Sequence, residues 1–364
     1  MSGTSLDGVD GVIVDFSDAQ RPQVAQYACA PFDPTLKTTL LALNSAGHNE
    51  LHNAALAANA LVRVYAHVVE TLMTQANAGP TDIRAIGAHG QTVRHRPGEF
   101  DTTGYTLQIN SPALLAELTG ISVVADFRSR DVAAGGQGAP LVPAFHQEMF
   151  AGLGEAQGEG VCVLNIGGIS NISVLGEPVI GFDCGPGNAL MDYWCQLHTG
   201  QPYDADGRWA AAGQVNQPLL RVLMDEPFLH KVPPKSTGRD LFNASWLDRC
   251  LARCPLPSPV DVQATLTELT AKTCAMSLSG YAKSCTKLVV CGGGALNGHL
   301  MQCLKAALPE VLVASSADYG LPPLQVEAAA FAWLARKTLR RETGSLKSVT
   351  GARGSRILGA IYPA

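Results

Sequence analysis

No apolar run in these 364 residues reaches the roughly 18 needed to cross a bilayer, and no basic-then-apolar leader opens the sequence. A cytoplasmic setting without membrane contact is the expectation. Charge is scarce too. Charged residues make up 16%, and the formal net charge of −5 with a pI near 6.0 gives no electrostatic reason to expect long nucleic acid as a partner. The ten cysteines lack any zinc or redox spacing. The one close pair, Cys250 and Cys254, lies four apart on an expected helix, so reduced thiols are the reading. Also missing are a Gly-Lys-Ser/Thr ending of the Walker type and a complete Gly-x-Gly-x-x-Gly dinucleotide pattern. A small molecule remains the expected partner.

What is present fits a turn-rich α/β protein. Hydrophobic residues make up 46%, with 37 Gly and 22 Pro, which excludes a disordered chain. The length exceeds what one hydrophobic core serves well and predicts two domains. β-rich runs at Ala85–Ala88, Val123–Asp126, Val161–Ile166 and Lys287–Cys291 each lead into glycines or a polar turn. They alternate with helical periodicity over Leu51–Ala76, Ser111–Leu118, Ala189–Thr199, Ala264–Tyr281, Leu296–Ala307 and Leu324–Arg340. Asn188 is a candidate N-cap of the helix that Gly200 ends. An internal echo suggests two similar halves: Met1-Ser-Gly-Thr-Ser5 before the run Val9–Phe16, and Asn165-Ile-Gly-Gly-Ile-Ser170 before Asn171–Leu175. The polar stretch Gly152–Gly160 reads as their connection, giving lobes 1–155 and 156–364.

Several strand ends carry candidate chemistry. Met1-Ser-Gly-Thr-Ser-Leu-Asp-Gly8 could surround a phosphate with backbone N–H groups and hydroxyls, and by itself reads equally as a hairpin turn. Asn165–Ser170, with Gly167 and Gly168, and Cys291–Asn297, with Gly292, Gly293 and Gly294, repeat the small-residue turn after apolar strands, where α/β sheets bind ligands. In Gly181–Asn188 a strand delivers Asp183 to a glycine turn; the choice between general base and backbone cap stays open. Asp126, a second candidate base, and Arg128 follow another strand and could meet a polar, anionic sugar or pair with each other. His89, Gln91 and Thr92 offer the neutral donors and acceptors that a hydroxyl-rich sugar needs. Lys235-Ser-Thr-Gly-Arg-Asp240 could offer cations to phosphate, although a solvated loop would look the same and is the preferred reading on local grounds. Glu327 sits near the start of a strongly apolar helix, where burial would demand a partner for its charge.

Together, Ser2–Gly8, His89–Thr92, Val124–Arg128, Gly135–Pro143, Asn165–Asn171, Phe182–Asn188 and Cys291–Asn297 resemble, in order and spacing and nearly end to end, the anhydro-N-acetylmuramic acid kinases. The resemblance implies the two-lobed, duplicated ribonuclease H-like fold of actin and hexokinase, with ATP in the cleft between the lobes. It implies that water opens the 1,6-anhydro ring while the γ-phosphoryl group passes to O6, and that Asp183 activates the water. Ser2, Gly3, Thr4, Ser5, Leu6, Asp7, Gly8 and Val9 would then hold the phosphates, with Gly167 and Gly168 as a second phosphate turn. Gly292, Gly293 and Gly294 would face the adenosine, and Mg²⁺ would bridge the phosphates with few protein ligands. His89, Gln91, Asp126, Arg128 and Glu327 become sugar contacts, and a homodimer is implied. The family carries a short strand before the Ser-Gly-Thr loop, whereas this sequence opens at Met1, so the expectation is a loop without that anchor. Another small-molecule kinase of the superfamily is the alternative reading, and a nucleotide-gated interaction protein is a more distant one.

Overall fold

The computed structural model describes residues 1–3, 6–18, 22–154, 160–233, 235–238, 241–255 and 257–364. The chain falls into two compact units, Met1–Met149 with Gln325–Ala364, and Phe150–Leu324.

The first unit begins with the antiparallel hairpin β1 (Gly8–Asp15) and β2 (Gln23–Pro31). The long helix Glu50–Ala76 follows, burying Leu61, Val62, Tyr65 and Val68 in one core with Leu115, Val123 and Ala125. Apolar residues at three-to-four spacing place those side chains on one face. Asn77, in the left-handed region, ends this helix. Next come β3 (Ile86–Ala88), β4 (Gln91–Pro97), β5 (Gly104–Ile109), the helix Pro112–Thr119 and β6 (Val123–Ala125). β3 and β6 run parallel, so His89–Gln91 and Asp126–Arg128 leave the sheet at the same edge.

In the second unit, β7 (Gly160–Ile166), β8 (Ile169–Val174) and β9 (Ile180–Pro186) form an antiparallel meander. β10 (Cys285–Cys291) and β11 (Leu312–Ser315) add parallel to β7, giving the order β11-β10-β7-β8-β9. Such an open sheet with a meander and two parallel strands suits the half-fold that the resemblance implies. Val161–Leu164 and Leu288–Cys291 are buried without alternation, as parallel strands covered on both faces must be. The helix Pro259–Tyr281 covers one of those faces; Ser258 caps it by accepting from Asp261 N, and Pro259 occupies its first turn. β7, β9 and β10 all point the same way, so three glycine turns emerge together: Gly167–Gly168, Gly185–Gly187 and Gly292–Gly294.

The chain then returns to the first unit through the helix Val326–Leu339 and β12 (Ala360–Tyr362). The sequence-based division runs the second lobe to Ala364; in the structure Gln325–Ala364 packs with the first unit instead. β12 pairs antiparallel with β6. The helix lies so close on β3 that a Cβ on Gly87 would sit 2.3 Å from the Phe331 carbonyl oxygen, an approach only glycine permits. Within the expected connection Gly152–Gly160, residues 155–159 lie outside the described residues. Among the described residues, no helix is long and apolar enough to cross a membrane.

Candidate active site

In the first unit the polar groups at the sheet edge are bonded to one another. Arg128 donates from Nε (3.1 Å) and Nη2 (3.0 Å) to Nε2 of buried His89, and from Nη1 to the Gly138 carbonyl at 2.8 Å. With Nε2 accepting, Nδ1–H of His89 points at the Gly90 carbonyl, 2.7 Å away. Burial first, then the Arg128 charge, push the His89 pKa well below the usual imidazole range, so the ring is neutral. Burial also lowers Arg128 to about 10, opposed by the charge of Glu327. Glu327, in the first turn of the helix Val326–Leu339, is raised by burial and held back chiefly by Arg128. The buried carboxylate that the sequence requires to have a partner therefore has its largest opposing charge in Arg128. Asp126 and Arg128 do not pair with each other. Asp126 is exposed, takes a left-handed conformation (φ 59°) and accepts weakly from Ser129 N at 3.4 Å.

Gln91 is 1% exposed; its Nε2 donates to the Gly3 carbonyl at 3.1 Å, while its Oε1 has no hydrogen-bond partner. A buried acceptor left without a donor is where a ligand hydroxyl gains most. Of the candidate phosphate loop, Thr4 and Ser5 lie outside the described residues. The Ser2 hydroxyl is buried between Tyr65 Oη and the Gly90 carbonyl, both at 3.0 Å. Leu6 and Val9 put their side chains into the core. Gly8 lies against β2, where a Cβ would sit 2.2 Å from the Ala30 carbonyl oxygen, and Asp7 is exposed, 3.7 Å from Lys37. Met1 and Asp10 exchange backbone hydrogen bonds, and Ser2 and Gly3 reach Gly90 and Gln91.

The second unit presents backbone rather than side chains. Gly167 O accepts from Asn188 N at 2.7 Å and Gly168 O from Gly187 N at 3.0 Å, locking two of the turns together. A Cβ on Gly167 would meet nothing nearer than 3.8 Å, so packing does not explain that glycine. Gly292 differs: at φ 78°, a Cβ would lie 2.5 Å from Asn165 Oδ1, so the fold itself needs glycine there. Gly294 is equally confined, by Ile166 Cγ2 at 2.4 Å. Asn188 is not the N-cap expected from the sequence. It is the first residue of the helix Asn188–Thr199, after Gly187, and its Nδ2 donates to Ile166 O at 3.1 Å because the turn brings that carbonyl within reach. Gly200 does end the helix.

What the sequence reading missed is the segment that holds Asp183. Its Oδ2 accepts from Ser236 Oγ at 2.9 Å and Thr237 N at 2.8 Å, and its own N–H donates to Lys235 O at 3.1 Å. The Lys235 segment is thus the clamp of this carboxylate, a contact across 54 residues that no local pattern reveals. Lys235 is itself buried, donating to Leu229 O at 3.0 Å with its ammonium 5.0 Å from the Phe228 ring centroid. Burial raises the Asp183 pKa; the Thr237 N–H, the Ser236 hydroxyl and the Lys235 charge hold it back. Arg239 and Asp240 lie outside the described residues.

The family model for anhydro-N-acetylmuramic acid kinase matches residues 1–364. The chain belongs to this family. The anhydro-N-acetylmuramic acid kinase of Variovorax paradoxus (strain S110) is 64% identical over 371 residues, covering 100% of this chain and 98% of the relative. That of Albidiferax ferrireducens is 61% identical over 386 residues, again covering 100% and 98%. Among solved structures, a ROK family glucokinase from Streptomyces griseus in complex with glucose and AMPPNP aligns over 91% of this chain and 99% of its own, with TM-score 0.40 and 14% identity. Nothing about substrate follows from a likeness that loose. Membership of the anhydro-N-acetylmuramic acid kinase family rests on the full-length matches.

Proposed function

We propose that the protein uses ATP to convert 1,6-anhydro-N-acetylmuramic acid into N-acetylmuramic acid 6-phosphate in cell-wall recycling, with Asp183 as the base. The observation that carries the reading is the clamp on Asp183. Two donors fix one carboxylate oxygen, Oδ2, beside glycine turns with open space before Gly167. A carboxylate so oriented, with its pKa raised by burial, is a better proton acceptor than a free one.

The substrate's chemistry sets the order of bonds. Its O6 is tied to C1, so no hydroxyl exists there to be phosphorylated. Water forms a bond to C1 as its proton passes to Asp183, the C1–O6 bond breaks, and O6 forms a bond to the γ-phosphorus as the bond to ADP breaks. Attack opposite the departing oxygen inverts C1. Gly167 and Gly168 contribute backbone to the phosphates, and Gly292–Gly294 face the adenosine. The free acceptor of Gln91 receives a sugar hydroxyl, while neutral His89, with both ring nitrogens held by Arg128 and the Gly90 carbonyl, and Glu327 order the sugar side of the site. Asp126, exposed at its strand end, is a sugar contact and not the base.

The donor set fits a metal carried by the nucleotide. Among the described residues no three His, Cys, Asp or Glu side chains gather into a protein-only site, and Mg²⁺ on ATP keeps several waters. When bound it neutralises charge on the phosphates. A cytoplasmic homodimer belongs to the same reading; sedimentation at several concentrations checks the dimer.

The deciding test is mass spectrometry of the sugar after incubation with ATP, Mg²⁺ and the protein. A product heavier by both water and a phosphoryl group, lost in Asp183→Asn, is expected. A phosphoryl gain without water points to another sugar kinase, and an unchanged sugar overturns the proposal.

A further inference from the structure

The first unit holds a cavity that none of the candidate site residues lines. Its volume is about 660 Å³, within the range of small-ligand sites, and its walls include Arg130, Arg341, Arg356, Ile357 and Ile361. Between Arg336 and Arg356 the sequence carries seven Lys and Arg against one acid, Glu342, in a chain whose net charge is −5. The charges around the cavity are not left equally unpaired. Glu148 takes Lys337 at 2.8 Å and Arg336 at 3.8 Å, and Glu342 takes Lys337 at 3.0 Å and Arg340 at 2.8 Å. Asp131 is buried and accepts from Gly138 N and the Thr350 hydroxyl. Those carboxylates are spent elsewhere. Among the described residues no carboxylate makes an ion pair with Arg130, Arg341 or Arg356.

Three guanidiniums line one concave wall, Arg130 and Arg341 exposed and Arg356 half-buried, so donors that the protein leaves to solvent are open to an anion. Arg341 itself takes the left-handed conformation (φ 57°) just past the helix Val326–Leu339, an arrangement unusual for a bulky side chain. Ile357 and Ile361 are 38% and 50% exposed, giving the cavity an apolar patch beside its cations. Arginine forks match phosphate oxygens bidentately. The volume exceeds what a bare phosphate fills, and the isoleucines suit the carbon face of a ring. We propose that this cavity binds a phosphate-bearing small molecule of about sugar-phosphate size, apart from the residues assigned to catalysis.

The test uses calorimetric titration of the full chain with glucose 6-phosphate, with inorganic phosphate and glucose as separate arms. Saturable binding of glucose 6-phosphate to the wild type is expected, with none of glucose. Arg341→Ala/Arg356→Ala should weaken it at least about tenfold, as loss of charge-assisted hydrogen bonds does, whereas Arg341→Lys/Arg356→Lys should retain part. Equal binding of inorganic phosphate overturns the sugar-phosphate assignment and leaves free phosphate as the occupant. Catalytic turnover within about twofold of wild type in the alanine variant shows that it folds. Undiminished affinity in that variant, or no saturable binding to the wild type, overturns the proposal.

Discussion

At the ends of β3 and β6 the polar groups are side chains already committed to one another: Arg128 to His89 and Gly138, Ser2 to Tyr65 and Gly90. At the ends of β7 and β10 they are backbone, freed by glycines, and β9 adds the clamped carboxylate of Asp183. Under the proposed function the first arrangement is the sugar side, its donors fixed before anything binds, and the second is the phosphate side, where recognition needs N–H groups and room more than side-chain variety. One is built from side chains and the other from their absence.

The largest effect that tests this contrast is expected at Asp183. Asp183→Asn should lower kcat by about 10²–10⁴-fold, the usual contribution of a positioned base, with no loss of thermal stability, since burial already disfavours the charged form. The acid limb of the wild-type rate profile should lie above the ordinary carboxylate value of about 3.9. A limb at or below it removes the base role.

The two glycine turns can then be set against each other. Gly292→Ala should cost about 1–3 kcal/mol in denaturant unfolding through overpacking, plus strain at its positive φ. Gly167→Ala should change stability by less than about 0.5 kcal/mol while weakening ATP. Equal losses of stability would merge what is here kept apart. Arg128→Gln should cost about 1.5–3 kcal/mol by removing charged hydrogen bonds to His89 and Gly138, a loss that calorimetry would register and that a solvated arginine would not produce.

A further effect is in pH. The folded-state pKa of His89 is depressed, and that of His146 is lowered to about 3 by burial. Each is neutral when folded and takes a proton near 6.5 when unfolded, so the stability they contribute is present above that pH and lost as pH falls toward the folded values. Unfolding free energy should fall below about pH 6.5 by up to about 1.4 kcal/mol per pH unit for each histidine. His89→Gln should remove one proton's share of that slope; an unchanged slope refutes the neutral-ring assignment.

Where sequence suffices, the determinants are local. The helix over Glu50–Ala76 follows its apolar period, the strand Gly160–Ile166 its unbroken apolar run, and the glycine turns sit where those runs end. Asn188 went astray because a candidate cap and a first-turn residue look alike until the facing carbonyl of Ile166 is seen. The Lys235 segment reads as solvated loop because its partner, Asp183, lies more than fifty residues away. The overall acidity of the chain hides a basic stretch that only folding gathers around one cavity.

The return of Gln325–Ala364 to the first unit bears on synthesis. The second unit is one continuous stretch, Phe150–Leu324, and can close as soon as it leaves the ribosome. The first unit must wait: at about 5–20 residues per second, its opening residues spend on the order of ten seconds or more without the helix that fits against Gly87. During that interval the face of β3 is exposed in a nascent chain, where a chaperone can reach it.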